Sequence, residues 1–253
     1  VKLSLAIIGI AILVGVFLAA RLPVPSSQEP SGSAVPPPPA QVEEPEPPVP
    51  ANQSSSPSSP ERPHLFRPED LPLLEGPDRA LWQKPDLVMD LLHIADGSRV
   101  ADIGAGAGWF TMRLARRVGP NGIVYAQDLQ REMTIAIARR VKRENLDNVQ
   151  VIQGLEDSVN LPRDVVLDAV LVVDVYPELK GDRVQFLRSL AASLQPKGRI
   201  GIVNYKPGSG GPGPGPSERV ASSVVEQDAR RAKLRVIGPT TDLRYQYLVV
   251  IGL

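Results

Sequence analysis

The chain has 253 residues, in which 28 Lys and Arg balance 28 Asp and Glu, with no cysteine and two histidines. Without thiols there are no disulfides, no cysteine nucleophile and no cysteine-ligated zinc or iron–sulfur centre, and His64 and His93 are too few for a histidine metal site, so no metal is expected. A neutral chain gives no electrostatic reason to expect nucleic acid as a partner.

Leu3 to Ala20 reads LSLAIIGIAILVGVFLAA, uncharged and almost wholly apolar. As a helix it would rise about 27 Å, close to the roughly 30 Å of bilayer hydrocarbon. Residues 1–21 are therefore expected to form a single-pass membrane anchor, inserted through residues 3–20, with the side of the membrane left open. A cleaved signal segment, giving a secreted protein, is the alternative; Leu18 fits poorly at the −3 position of a cut after Ala20. Residues 22–63 hold about half of the 27 prolines, including Pro36 to Pro39, and no aromatic residue. Such a segment buries too little apolar area to offset chain entropy and is expected to be a disordered, semi-rigid linker. Residues 64–253 remain, enough for one domain.

After a prelude, strand and helix patterns alternate. Pro85 suits a first helical turn, and DLVMDLLHI has helical apolar spacing. RVADI (99–103) reads as a strand, GAGAG as a turn and WFTMRLARRVG (109–119) as an amphipathic helix. IVYAQD (123–128), NVQVIQG (148–154), VVLDAVLVVDV (165–175) and RIGIVNY (199–205) read as further strands, separated by helices over 131–145 and 183–194, the last ended by a turn at QPKG. A helix over 217–232 precedes two strands, LRVIG and LRYQYLVVIGL, joined by a short connection that demands antiparallel pairing. The order predicts an α/β, Rossmann-like, doubly wound sheet of seven strands, mostly parallel, with one antiparallel strand near the C-terminus.

Four segments carry the chemistry. Gly104, Gly106 and Gly108, with Ala105 between them, form a turn from strand to helix where a ligand can approach the backbone. Trp109 stands just after the third glycine, so the spacing is GxGxG and not the dinucleotide GxGxxG, which speaks against a nicotinamide-binding oxidoreductase. Asp128 ends the second strand, where a carboxylate can accept from both ribose hydroxyls or cap the next helix, and Leu129 adjoins it. Glu156 and Asp157 follow the third strand in an acidic loop. Asp174, near the end of the fourth strand, and Tyr176, just after it, lie at the carboxyl edge where open α/β sheets bind ligands.

The GxGxG turn after Asp102 resembles the first motif of class I S-adenosylmethionine-dependent methyltransferases. Over roughly residues 78–253 the chain also resembles a bacterial group of small methyltransferases, in DRALWQKPDLVMDLL, VADIGAGAGWFTMRLARRVGPNGIVYAQDLQREM, LVVDVYPEL, LQPKGRI and LRYQYLVVI. The resemblance implies S-adenosylmethionine as cofactor, held by Asp102, Gly104, Ala105, Gly106, Gly108, Asp128, Leu129, Glu156, Asp157 and Asp174, with Trp82, Gln83 and Lys84 near the site. In-line methyl transfer needs alignment and a water-poor pocket, with a base only if the acceptor must lose a proton; Asp174 and then Tyr176 are the catalytic candidates. Tyr176-Pro177 replaces the group's usual Tyr-His, and GSGGPGPGP (208–216) replaces an ordinary loop. The expected acceptor is a small or lipid-like molecule. The alternative is a non-catalytic, cofactor-binding interaction or sensor domain tethered to a membrane. Oligomeric state is left open.

Overall fold

The computed structural model describes residues 75–253, apart from Asp157 and Ser209, all within the unit Pro57–Leu253. Two short helices open it, α1 (Arg79–Gln83) and α2 (Pro85–Leu91), separated by Lys84 in left-handed backbone at φ 49°. Pro85 takes the first turn of α2, where its missing N–H costs nothing. The alternation follows as β1 (Arg99–Ile103), α3 (Trp109–Val118), β2 (Ile123–Asp128), α4 (Arg131–Arg143), β3 (Val149–Gln153), β4 (Leu167–Val173), α5 (Arg183–Ala191) and β5 (Leu194–Tyr205). Then come α6 (Ser222–Arg231), β6 (Arg235–Val236), β7 (Thr241–Asp242) and β8 (Gln246–Gly252).

The strands form one sheet in the order β3-β2-β1-β4-β5-β8-β6, with β7 also paired to β8. From β3 to β5 the neighbours are parallel, and β8 runs antiparallel to β5, β6 and β7. Alternate residues of β1 feed opposite faces: Val100 packs with Val88, Met89, Phe110 and Leu114 of α2 and α3, and Ala101 packs with Leu187, Leu190, Val225 and Ala229 of α5 and α6. Covered on both faces, β4 is an almost unbroken apolar run, LDAVLVV. Asp182 starts α5 by accepting from the amides of Val184 at 2.8 Å and Gln185 at 3.3 Å. Chain order reverses between β1 and β4, which opens a crevice at their carboxyl ends.

Several expectations need correction. The sheet has eight strands, not seven, because the two-residue β7 pairs with β8. QPKG does not end in a turn: β5 begins at Leu194, and the extra residues are taken up as a register shift against β4 between Leu167 and Ala169. Part of the prelude is helical, as α1. The helix expected over 217–232 starts only at Ser222, after a separate single turn at Pro216–Glu218. The expected membrane helix finds no support: among the described residues no helix is long and apolar enough to cross a membrane, and the anchor segment 3–20 and linker 22–63 lie outside them. The single-pass localisation, the membrane partner and the lipid-like acceptor inferred from that anchor are withdrawn with it.

Candidate functional site

β1 delivers the chain into the glycine turn at the crevice. Gly104, Gly106 and Gly108 all have left-handed φ, at 68°, 56° and 82°. At Gly104 the requirement is also steric, since an added Cβ would lie 2.1 Å from Cγ2 of Val175, beyond the end of β4. The turn is stitched to β2: the amides of Gly104 and Ala105 both donate to the Gln127 carbonyl at 2.9 Å, and the Gly106 amide donates to Oδ2 of Asp128 at 2.8 Å. The other oxygen of Asp128 accepts from the Gln130 amide at 2.8 Å, so this carboxylate holds both the glycine turn and the residue that precedes α4. Each oxygen keeps a second lone pair for a further donor.

Asp102, one residue before the end of β1, is buried beneath the turn and accepts the Thr111 hydroxyl at 2.6 Å. Burial pushes its carboxyl up to about 6, with the Thr111 bond opposing. Asp174 follows β4 in left-handed backbone at φ 59°, a conformation that a non-glycine residue adopts only when its surroundings impose it. Its carboxylate oxygens both accept from Nε2 of Gln246, at 2.9 and 2.8 Å. Burial pushes Asp174 up to about 7, while Arg79 and the Gln246 bond pull against it. Asp128 is likewise raised by burial, against the amides of Gln130 and Gly106.

The methyltransferase domain family matches residues 100–198. Among curated relatives, the protein-L-isoaspartate O-methyltransferase of Methanococcoides burtonii is 32% identical over 46% of this chain and 62% of its own length. The ubiquinone/menaquinone biosynthesis C-methyltransferase UbiE of Vibrio campbellii is 27% identical over 53% of this chain and 50% of its own. The chain thus spans less than two thirds of these relatives' length. A solved S-adenosylmethionine-dependent methyltransferase from Aquifex aeolicus matches at a TM-score of 0.69 and 28% identity, over 74% of this chain and 98% of that one. This is a class I S-adenosylmethionine-dependent methyltransferase fold.

S-adenosylmethionine is the cofactor of such a methyltransferase domain, and the residues present fit it. A turn held open by glycines abuts a carboxylate with spare acceptor capacity, which suits the two donor hydroxyls of a ribose. Leu129 and Leu155, 40% and 52% exposed, leave apolar surface beyond the ends of β2 and β3 for a base. The buried carboxylate of Asp102 and the half-buried one of Asp174 suit a cationic sulfonium. Two hollows in the surface lie elsewhere, one of about 430 Å³ between α4 and β3 and one of about 290 Å³ beside α2 and α3.

Tyr176 is not placed for the role expected of it. Its side chain is fully buried and its hydroxyl donates to Oδ2 of Asp228 on α6 at 2.9 Å, which joins two elements of the core. Burial and that bond hold the phenol far above its ordinary range. Glu156 is exposed beside the β3 loop, and Asp157 lies outside the described residues. Trp82 is buried against Tyr205 and Tyr245, with ring centres 6.0 and 5.8 Å apart, while Lys84 is exposed at the junction of α1 and α2. The glycine-rich loop after β5 packs on this aromatic group: added Cβ atoms at Gly211 and Gly213 would each meet a ring, of Tyr245 and Tyr205, at 2.5 Å.

Sequence patterning missed Arg79, Gln127, Thr111, Asp228 and Gln246. Arg79 and Gln246 stood inside the quoted segments DRALWQKP and LRYQYLVVI, where a charged or amide residue interrupts an aromatic or apolar run. That was the available signal.

Proposed function

We propose that the domain transfers a methyl group from S-adenosylmethionine to a small-molecule acceptor by in-line displacement. The bond from the Gly106 amide to Asp128 carries the reading, because it aims the strand-end carboxylate at the glycine turn. In this reading Gly104, Ala105, Gly106 and Gly108 cradle the cofactor, Asp128 grips its ribose, and Leu129 and the loop with Glu156 and Asp157 border its base. Asp102 supports the turn from beneath, and the domain is assigned to residues 64–253, of which 64–74 lie outside the described residues.

Asp174 is the group proposed to take a proton from the acceptor. A carboxyl near 7 matches a base working at neutral pH better than an ordinary aspartate does. The apolar group of Trp82, Tyr205 and Tyr245 lies beside it: Tyr205 both contributes a backbone hydrogen bond to Asp174 and feels its charge. The two relatives' names point to different acceptor atoms, an oxygen and a carbon, so neither acceptor is carried over to this chain.

The test combines calorimetry with S-adenosylmethionine and S-adenosylhomocysteine with transfer of a labelled methyl group to panels of small amines, carboxylic acids and phenols. Micromolar binding, with label transferred to one class and lost in Asp174→Asn, is the expected result. Binding without transfer to any class overturns the enzymatic reading and leaves a cofactor-binding module. No binding at all removes both.

A further inference from the structure

Three polar side chains link α1 to Asp174 through the core edge. Nε of Arg79 donates to Oε1 of Gln83 at 2.6 Å. Nε2 of Gln83 donates to Oε1 of Gln246 at 2.8 Å, across 163 residues of sequence, and both glutamines are fully buried. Nε2 of Gln246 then faces both oxygens of Asp174.

An amide can usually be turned end for end, but not here. Guanidinium only donates, so the atom of Gln83 facing Arg79 must be its oxygen, and its NH2 group must face the other way. That NH2 in turn fixes the oxygen of Gln246 toward Gln83 and its nitrogen toward Asp174. Every dipole in the chain therefore points its positive end at the carboxylate, and each bond polarises the next in a site of low dielectric. A reversed Gln246 would set oxygen against carboxylate.

We infer that Arg79, Gln83 and Gln246 form a one-way hydrogen-bond chain that favours the ionised form of the Asp174 carboxylate and fixes its direction, which makes the two glutamines positioning residues. The role of Asp174 in transfer rests on the proposed function; the chain itself does not. The charged and titratable groups that face Asp174 are Arg79 of α1, Glu178 just after β4, Tyr205 of β5 and Tyr247 of β8. Arg79 is the one cation among them and favours the ionised form, as does the backbone hydrogen bond from Tyr205; Glu178 opposes it, and the two phenols, both raised by burial, stay neutral while Asp174 titrates. Arg79 also lies over the Trp109 ring, with its guanidinium carbon 4.3 Å from the ring centre, so the first residue of the chain is held at the glycine turn.

The experiment is a carbon-13 NMR titration of the full chain labelled at aspartate carboxyls, with the Asp174 signal identified by its loss in Asp174→Asn. Gln246→Met should raise the Asp174 midpoint by about one pH unit or more, the size of a lost hydrogen bond to a charged group. Gln83→Met should raise it by less, and should add nothing in the Gln246→Met background. If a methionine variant does not fold, Gln→Asn at the same position keeps the amide, shortens its reach and should move the midpoint the same way. A midpoint unmoved by the Gln83 change, or moved equally with and without Gln246, overturns the chain. Methyl transfer is followed in parallel: a midpoint that moves while the pH profile of transfer stays fixed leaves the chain standing and removes Asp174 as the base.

Discussion

Gly106 and Asp128 are joined by one 2.8 Å hydrogen bond from backbone amide to carboxylate, across the carboxyl ends of the paired strands β1 and β2. The bond fixes both the shape of the turn and the direction of the acid.

Asp128→Ala is therefore expected to weaken S-adenosylmethionine binding by about 10- to 100-fold, the worth of one or two hydrogen bonds to a charged acceptor. Asp128→Asn, which keeps one oxygen, should lose less. Calorimetry reads both, and an unchanged dissociation constant for the alanine variant would remove Asp128 from the cofactor site.

Gly104→Ala and Gly97→Ala separate backbone strain from steric conflict. Both glycines have positive φ, at 68° and 82°, but a Cβ at Gly97 meets nothing within 4 Å, whereas one at Gly104 meets Val175 at 2.1 Å. Gly97→Ala should cost about 1 kcal/mol in denaturant unfolding, and Gly104→Ala about 1–3 kcal/mol more. Adding Val175→Ala to Gly104→Ala should recover part of the difference. Equal losses at the two positions would refute the steric account.

Tyr176→Phe should destabilise the fold by about 1–3 kcal/mol by leaving the buried Asp228 oxygen without its donor. The pH dependence of methyl transfer should be unchanged, because the hydroxyl is engaged at α6. A displaced pH profile with unchanged stability would return Tyr176 to the catalytic candidates.

Stability should fall as pH rises. Asp102 and Asp174 titrate in the folded state at about 6 and about 7, against 3.8 for the ordinary group, so the folded chain binds protons more tightly than the unfolded one. Their contribution is full below pH 4 and is lost progressively as pH climbs through 6 and 7. Thermal unfolding midpoints should drop by roughly 10 °C between pH 5 and pH 8, and Asp174→Asn should flatten the upper part of that fall. A variant with the same slope as the unmodified chain would mean that Asp174 titrates normally.

The parallel sheet was legible because its signals are local. Apolar runs of strand length such as LDAVLVV, the GAGAG turn and an acid ending IVYAQD each sit within one short window, and chain order then arranges them. The extra strand β7 was not legible, since two residues show no alternation, and the QPKG register shift was hidden because Pro-Lys-Gly reads as a turn whether the chain stops or bulges. Residues 3–20, whose apolar length suggested a membrane span, lie outside the described residues.

From its residues alone, this protein's strand order, its glycine turn and the nearness of Asp128 to that turn were determined, because each depends on neighbours in sequence or on the regular winding of strand and helix. Only the folded state decided that Tyr176 turns inward to Asp228 and that Gln83 meets Gln246. Those contacts exist because β8 lies beside β5 and α6 covers the face behind them, which closes chain separations of 52 and 163 residues. Spacing along a chain carries no record of which distant polar atoms will share one buried edge; packing and the need to satisfy every buried donor settle it.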